Sequence, residues 1–260
     1  MAQGCILGQI TVEFDVNDQL DWIEDPGGGL EQTLSTSITA GAYFPDSDTA
    51  SEDLALVIKT AMDAESLASG NTWEYVVSVS ATNGMVSIEA SSDPWRMLCG
   101  TGYEDSVFPE LGFPASDVDS TSTTISATIQ PRGTWFPKTN RDGEERKWDT
   151  NWEYIGNGAS SRGPTGKIVS ISTGFSRDRS ITYSRIVPDD VYGGLVRAQV
   201  CFGDHWYKQN VMRIFADRVI TGTNFFDGKL RQDSRNSWKP QRYSASFETY
   251  EWTFDFAEDV

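Results

Sequence analysis

Histidine is nearly missing from this 260-residue sequence, His205 being its one example. Any Ser-His-Asp or Cys-His arrangement would have to use it. It sits in Gly203-Asp204-His205-Trp206, where a strand is expected to give way to a helix, and no G-x-S-x-G elbow occurs in the chain. The plain reading is a loop histidine. Cysteine is scarce as well: Cys5, Cys99 and Cys201 are widely spaced and form no CxxC. Three such residues describe neither a disulfide framework nor a zinc site and read as buried thiols. No apolar run approaches the roughly 20 residues of a membrane helix. Residues 1–10 lack the basic and apolar pattern of a secretory leader, and Ala2 excludes myristoylation. A soluble chain made in a cytosol, without a membrane span, is expected.

Positive charge is missing from the first half. Residues 1–130 hold two basic residues, Lys59 and Arg96, against 21 Asp and Glu, a net of −19. Residues 131–260 hold 19 basic residues against 17 acidic ones, a net of +2. Such asymmetry suggests two units with different neighbours, here 1–137 and 138–260. An acidic surface repels phosphate, so sequence-specific nucleic-acid binding is not expected of the first unit. Cores exclude acids, which makes the loop acids Asp15, Asp18, Asp21, Glu24, Asp46, Asp48, Glu104 and Asp105 candidates for an interface or for the wall of a passage. The basic residues Arg146, Lys147, Arg177 and Arg179, read as loops, are candidates to dock acidic neighbours. The simpler alternative is an acidic domain that is merely soluble.

The motifs of phosphate and metal chemistry are also absent. Gly163-Pro164-Thr165-Gly166-Lys167 looks like the end of a phosphate loop, but Ser161 stands where the first glycine belongs and Ile168 follows the lysine. The pairs Asp46/Asp48 and Asp117/Asp119 do not fit a calcium loop. Paired carboxylates can cleave glycosides, but among 38 acidic residues pairs arise by chance. No catalytic residue, cofactor or metal is expected, and the chain reads as a non-enzyme.

What is present is strand pattern. Residues 9–16 alternate at Ile10, Val12, Phe14 and Val16, and a loop centred on Pro26-Gly27-Gly28-Gly29 follows. Residues 33–44 read as one further strand. Thr49-Ala50-Ser51-Glu52 fits a capping box, and Leu54, Leu56, Val57, Ile58, Ala61 and Met62 recur at helical spacing; a helix over 50–68 is expected, with Thr49 as its cap and Leu56 toward the core. Residues 72–80 and 86–90 form a hairpin around Asn83-Gly84, the sequence of a type I′ turn. Residues 95–99 and 120–130 read as short strands, the latter at an edge because Pro131 ends it. Residues 156–166 read as a polar loop, 168–172 and 181–187 as strands around a charged turn at Arg177-Asp178-Arg179, 209–221 as a second helix, and 243–256 as alternating strand. The expected class is mainly β with two helices (α+β): a β-sandwich or barrel-like first domain and a second β-rich domain.

The first 137 residues resemble virion structural proteins of tailed bacteriophages. The carrying residues are Thr36-Ser37-Ile38-Thr39-Ala40-Gly41-Ala42-Tyr43, the helix from Leu54 to Met62, the hairpin with its Asn-Gly turn, Leu111-Gly112-Phe113, and the closing Trp135-Phe136-Pro137. Their order and spacing, more than any one of them, make the resemblance, which leaves residues 138–260 unplaced. It implies no catalysis. It implies a homo-oligomeric ring in contact with other virion proteins, located in the virion after synthesis in the host cytoplasm. Tail tube or distal tail ring is the favoured position, with head decoration or head-to-tail connector as the alternative. A receptor- or carbohydrate-binding module using Trp148, Trp152 and Trp206 is the rival of another class.

Overall fold

The computed structural model describes residues 5–26, 30–92, 94–100, 105–119, 123–136, 148–162, 168–186, 211–215, 225–230, 237–244 and 247–258. Past residue 136 its side chains are described for 211–215, 225 and 227–229. The protein is mainly β, built from several antiparallel sheets. Among the described residues one α-helix occurs, α1 (Leu54–Ala68), with a 3₁₀ turn at Phe108–Leu111.

The first half folds around this helix. β2 (Ile10–Val12) pairs with β5 (Gly41–Tyr43). β3 (Gln19–Glu24) lies between β4 (Gln32–Ser37) and β8 (Trp95–Met97), with β9 (Val118–Asp119) beyond β8. β6 (Tyr75–Val79), β7 (Val86–Ala90) and β10 (Thr124–Ser126) make a three-stranded sheet with β7 central. Leu54, Ile58, Met62 and Ser66, four residues apart, face inward from α1. Leu54, Ile58 and Met62 share one core with Trp22, Tyr75, Ile88, Trp95, Phe108 and Phe113. Trp22, Tyr75 and Trp95 stack edge to face through Tyr75, with centroids 6.1 and 5.8 Å apart.

Several local expectations are corrected. The alternation at 9–16 ends as a strand at Val12; Phe14 and Val16 stand in a turn and are exposed. Residues 33–44 are two strands, because Tyr43 turns back to pair with Ile10. The helix starts at Leu54, capped by Asp53, whose carboxylate accepts from the Leu56 amide at 3.2 Å. Thr49 is not its cap; its carbonyl accepts from Glu52 in the preceding turn. Leu56 is on the exposed side. The hairpin loop has four residues, closed by Ser80 N to Met85 O, and Gly84 alone in it takes a positive φ, so it is not type I′.

The second half forms a seven-stranded sheet. β1 (Cys5–Gly8), β13 (Met212–Phe215), β14 (Phe225–Leu230), β16 (Phe247–Glu258), β12 (Ile168–Ile186) and β11 (Trp148–Arg162) follow in that order, with β15 (Ser237–Ser244) also on β16. The first strand of the chain thus lies in the sheet of the second half, paired Cys5 to Phe215. Met212–Phe215, expected as helix, is strand; Met212 to Phe215 are all buried and the segment serves as a central strand, where an apolar run needs no alternation. The flanks of that expected helix lie outside the described residues. Arg177-Asp178-Arg179 is no turn. It lies within β12, with Tyr154, Glu153 and Trp152 as its partners on β11. Gly156 to Arg162, expected as loop, belong to β11. The register runs Trp148, Tyr183, Trp252 and Trp238 as successive partners across four strands.

Candidate functional site

The acidic candidates divide by burial. Glu24 is fully buried at the end of β3. One carboxylate oxygen accepts from Trp22 Nε1 at 3.1 Å and Tyr75 Oη at 2.6 Å, the other from Ser66 Oγ at 3.1 Å and Asn71 Nδ2 at 2.6 Å. Four donors from the sheet, the helix, its exit and the hairpin replace water around the charge. Burial and the neighbouring Glu24 push the Tyr75 hydroxyl far above its usual value, so it stays a donor. Asp21 is also buried, and desolvation raises its carboxyl above the ordinary 3.8 against a hydrogen bond from Ser35. Asp18, 1% exposed, accepts from the Asp15 amide at 3.2 Å. These three are not surface acids, and the expectation that strands exclude them is corrected. Each is buried where a polar group must satisfy backbone or side-chain donors.

Asp15, Asp48 and Asp105 are exposed, as expected of loop acids. Asp46 is half-buried, its carboxyl raised by burial and then by Asp53 and Asp48. Asp53 is raised by burial against the amides it caps. The structure thus brings Asp46, Asp48 and Asp53 together at the start of α1 and Asp15 against Asp18. Glu104, Arg146, Lys147, His205 and Trp206 lie outside the described residues. Asp117 accepts from the amides of Cys99 and Gly100, and burial followed by Asp117 and Asp21 pushes the Cys99 thiol up to about 12. A buried thiol that keeps its proton is a poor nucleophile. Arg96 pairs with Asp119 at a groove of about 240 Å³ that Ile23, Asp25, Glu31, Pro94 and Trp95 also line.

Sequence reasoning missed a joint between the halves. Arg213 on β13 is buried and flat between two rings, its guanidinium carbon 4.1 Å from the Phe44 centroid and 4.2 Å from that of Phe225. It donates twice to Asp227, at 2.9 Å each, once to Glu52 at 3.2 Å and once to Ser47 at 2.9 Å. Burial alone would lower its affinity for the proton; Asp227 and Glu52 more than offset this and raise it. Cys5, Leu7, Phe44, Phe136 and Phe215 form the apolar patch of the same joint, and Ile6 exchanges two backbone hydrogen bonds with Trp135. The signal available in sequence was one arginine inside the apolar run Val211-Met212-Arg213-Ile214-Phe215.

Three of the motifs that carried the resemblance meet near this joint. A Cβ on Gly84 of the Asn-Gly turn would lie 2.3 Å from the Phe136 ring, and one on Gly112 would lie 2.1 Å from the Ile129 carbonyl oxygen. Gln130 donates to the carbonyl of Asn83 and accepts from the amide of Phe136. The arrangement is one of close backbone packing and fixed strands. No family model, no curated protein and no solved structure matches the chain.

Proposed function

We propose that the chain is a structural component of a tailed-phage virion, a tail tube or distal tail ring protein that self-assembles and contacts other virion proteins. The observation that carries this reading is the β11–β12 pair. β12 runs 19 residues, about 60 Å of strand. Its residues 168–177 pair with β11 alone among the described strands. β11, 15 residues long, ends the sheet among the described strands. A long edge strand and a two-stranded ribbon are poorly stable in water and are managed by pairing or covering. A closed ring of copies supplies that cover. The split in charge supports the same reading, since an acidic half beside a half with most of the basic residues suits repeated contact between copies. The exposed acids Asp15, Asp48 and Asp105 are its interface or lumen positions.

Light scattering and electron microscopy of the purified full chain test the proposal. Closed rings or stacked tubes are expected, and in an infected lysate the chain should locate to the tail of the particle. A monomer at every concentration, absent from particles, removes it. A position at the head or the head-to-tail junction would favour the decoration or connector alternative.

A carbohydrate-binding reading has one observation of its own. Trp148 and Trp152 both stand on β11, four residues apart, at the edge of the sheet among the described strands. Quenching of tryptophan fluorescence by host-surface oligosaccharide, lost in Trp152→Ala, would favour it over assembly.

A further inference from the structure

We infer that the turn between β2 and β3 is an assembly anchor, in which Phe14 and Val16 dock on the second half of a neighbouring copy of this chain. The inference rests on the assembly reading above and names the partner of one surface within it.

Phe14 is 71% exposed and Val16 54%. By sequence they continue the inward series of Ile10 and Val12, yet the chain leaves the sheet before them. The turn that holds them out is heavily bonded. The amides of Val16 and Asn17 both donate to the Glu13 carbonyl, at 3.1 and 3.2 Å. Asn17 accepts from the Glu13 amide at 2.7 Å and donates to the Thr11 carbonyl at 3.0 Å. The buried carboxylate of Asp18 takes the Asp15 amide from beneath. Asp15 itself has φ 56°, the one non-glycine residue with positive φ among those described. Left-handed backbone at a residue with a side chain is uncommon and held only where its surroundings fix it. A fixed turn bearing an aromatic and a β-branched side chain loses little freedom on binding, which is the property of an anchor.

Charge selects the partner. Glu13 and Asp15 flank the two apolar side chains. In residues 1–130 the two basic side chains are already engaged, Lys59 with Asp63 and Arg96 with Asp119. Two anchors meeting each other, or an anchor meeting another first half, would bring acid against acid. Residues 131–260 carry 19 of the chain's 21 basic residues against 17 acidic ones, a net of +2, so they do not repel the anchor as another first half would. An anchor of one copy on the second half of the next is a head-to-tail contact, the kind that closes rings.

The test uses the full chain with a photo-crosslinking benzoylphenylalanine in place of Phe14, mixed with isotopically labelled wild type. Crosslinks between copies, mapping to residues 131–260, are expected. Phe14→Ser with Val16→Ser should weaken association by about tenfold or more and leave the thermal melt of the dissociated chain unchanged, since both side chains are exposed. Glu13→Gln with Asp15→Asn should weaken it less and flatten its salt dependence. Asparagine tolerates the left-handed backbone, so the turn survives the change. A wild-type chain that never associates overturns the assembly reading and this inference with it. A wild type that associates while the Phe14/Val16 variant associates equally well, or crosslinks that map to residues 1–130 or are absent, overturns this inference alone.

Discussion

Glu24 places a carboxylate in the apolar core, and its four donors make that placement tolerable. Truncating it strands those donors without acceptors, each costing about 1–3 kcal/mol when buried. Glu24→Ala should therefore destabilise the protein by about 3 kcal/mol or more in denaturant melts. Glu24→Gln should cost less, because Trp22 and Tyr75 keep their acceptor and the Ser66 hydroxyl can turn to accept from the new amide, which leaves the Asn71 amide alone facing another donor. Equal costs for the two variants would show that the carboxylate does not organise its neighbours. The same residue explains a failure of sequence reading. A rule that acids avoid strand interiors selects Glu24, Asp21 and Asp18 for the surface. For Glu24 what inverts it is the supply of donors 42 to 51 residues away, Ser66, Asn71 and Tyr75, which no local pattern reveals.

At the scale of elements, helix α1 sets out which positions matter. Asp53→Ala should cost about 0.5–2 kcal/mol by freeing the Leu56 amide from its cap, and Ile58→Ala about 2–5 kcal/mol by opening a hole under the helix. Thr49→Ala and Leu56→Ala should each stay within about 0.5 kcal/mol, as changes at the surface do. Urea melts that rank Thr49 above Asp53 would return the helix start to the capping box. The glycines make a second series. Gly112→Ala meets a backbone carbonyl and should be the most damaging; Gly84→Ala meets the Phe136 ring, which can shift; Gly70→Ala meets nothing within 4 Å and bears only the strain of φ +87°. Melting temperatures out of that order would mean that these turns move as the protein stands. The helix and the hairpin were legible because period and turn residues are local properties; the alternation over 243–256 reads as one strand, but Tyr243 and Ser244 end β15 and Phe247 begins β16, which pairs back on it antiparallel. The second helix was misread because a central strand buried on both faces, Met212–Phe215, has no alternation to distinguish it from a buried helical turn. The charged turn at 177–179 was misread because charges inside a strand look like punctuation when the partner strands are unknown.

The whole molecule is joined by Arg213. Removing the guanidinium leaves Asp227 and Glu52 facing one another across the joint, so Arg213→Ala should cost about 3–5 kcal/mol. Arg213→Lys should recover little of it, since an ammonium cannot make the paired bonds to Asp227 or lie flat between two rings. A lysine variant as stable as wild type would reduce the joint to a point charge. The dependence of stability on pH follows from the acidic half as a whole. Asp21, Asp46 and Asp53 hold their protons to higher pH when folded than the ordinary 3.8, burial being the leading cause in each. Above 3.8 the unfolded chain has released these protons while the folded one retains part of them. The native state binds more protons in that window, and its stability falls as pH rises through it. Repulsion within the −19 half acts in the same direction, because protonation thins the like charges that oppose compactness. The denaturation midpoint should therefore rise as pH is lowered from neutral toward the ordinary carboxylate range, where proteins held together by ionised carboxylates lose stability. Asp46→Asn should raise the midpoint at neutral pH, where the wild-type charge is held against burial, and raise it less as pH falls toward the ordinary carboxylate range. A midpoint that falls steadily on acidification, in wild type and Asp46→Asn alike, would mean that favourable ion pairs outweigh buried carboxyls and crowding in setting the stability of the acidic half.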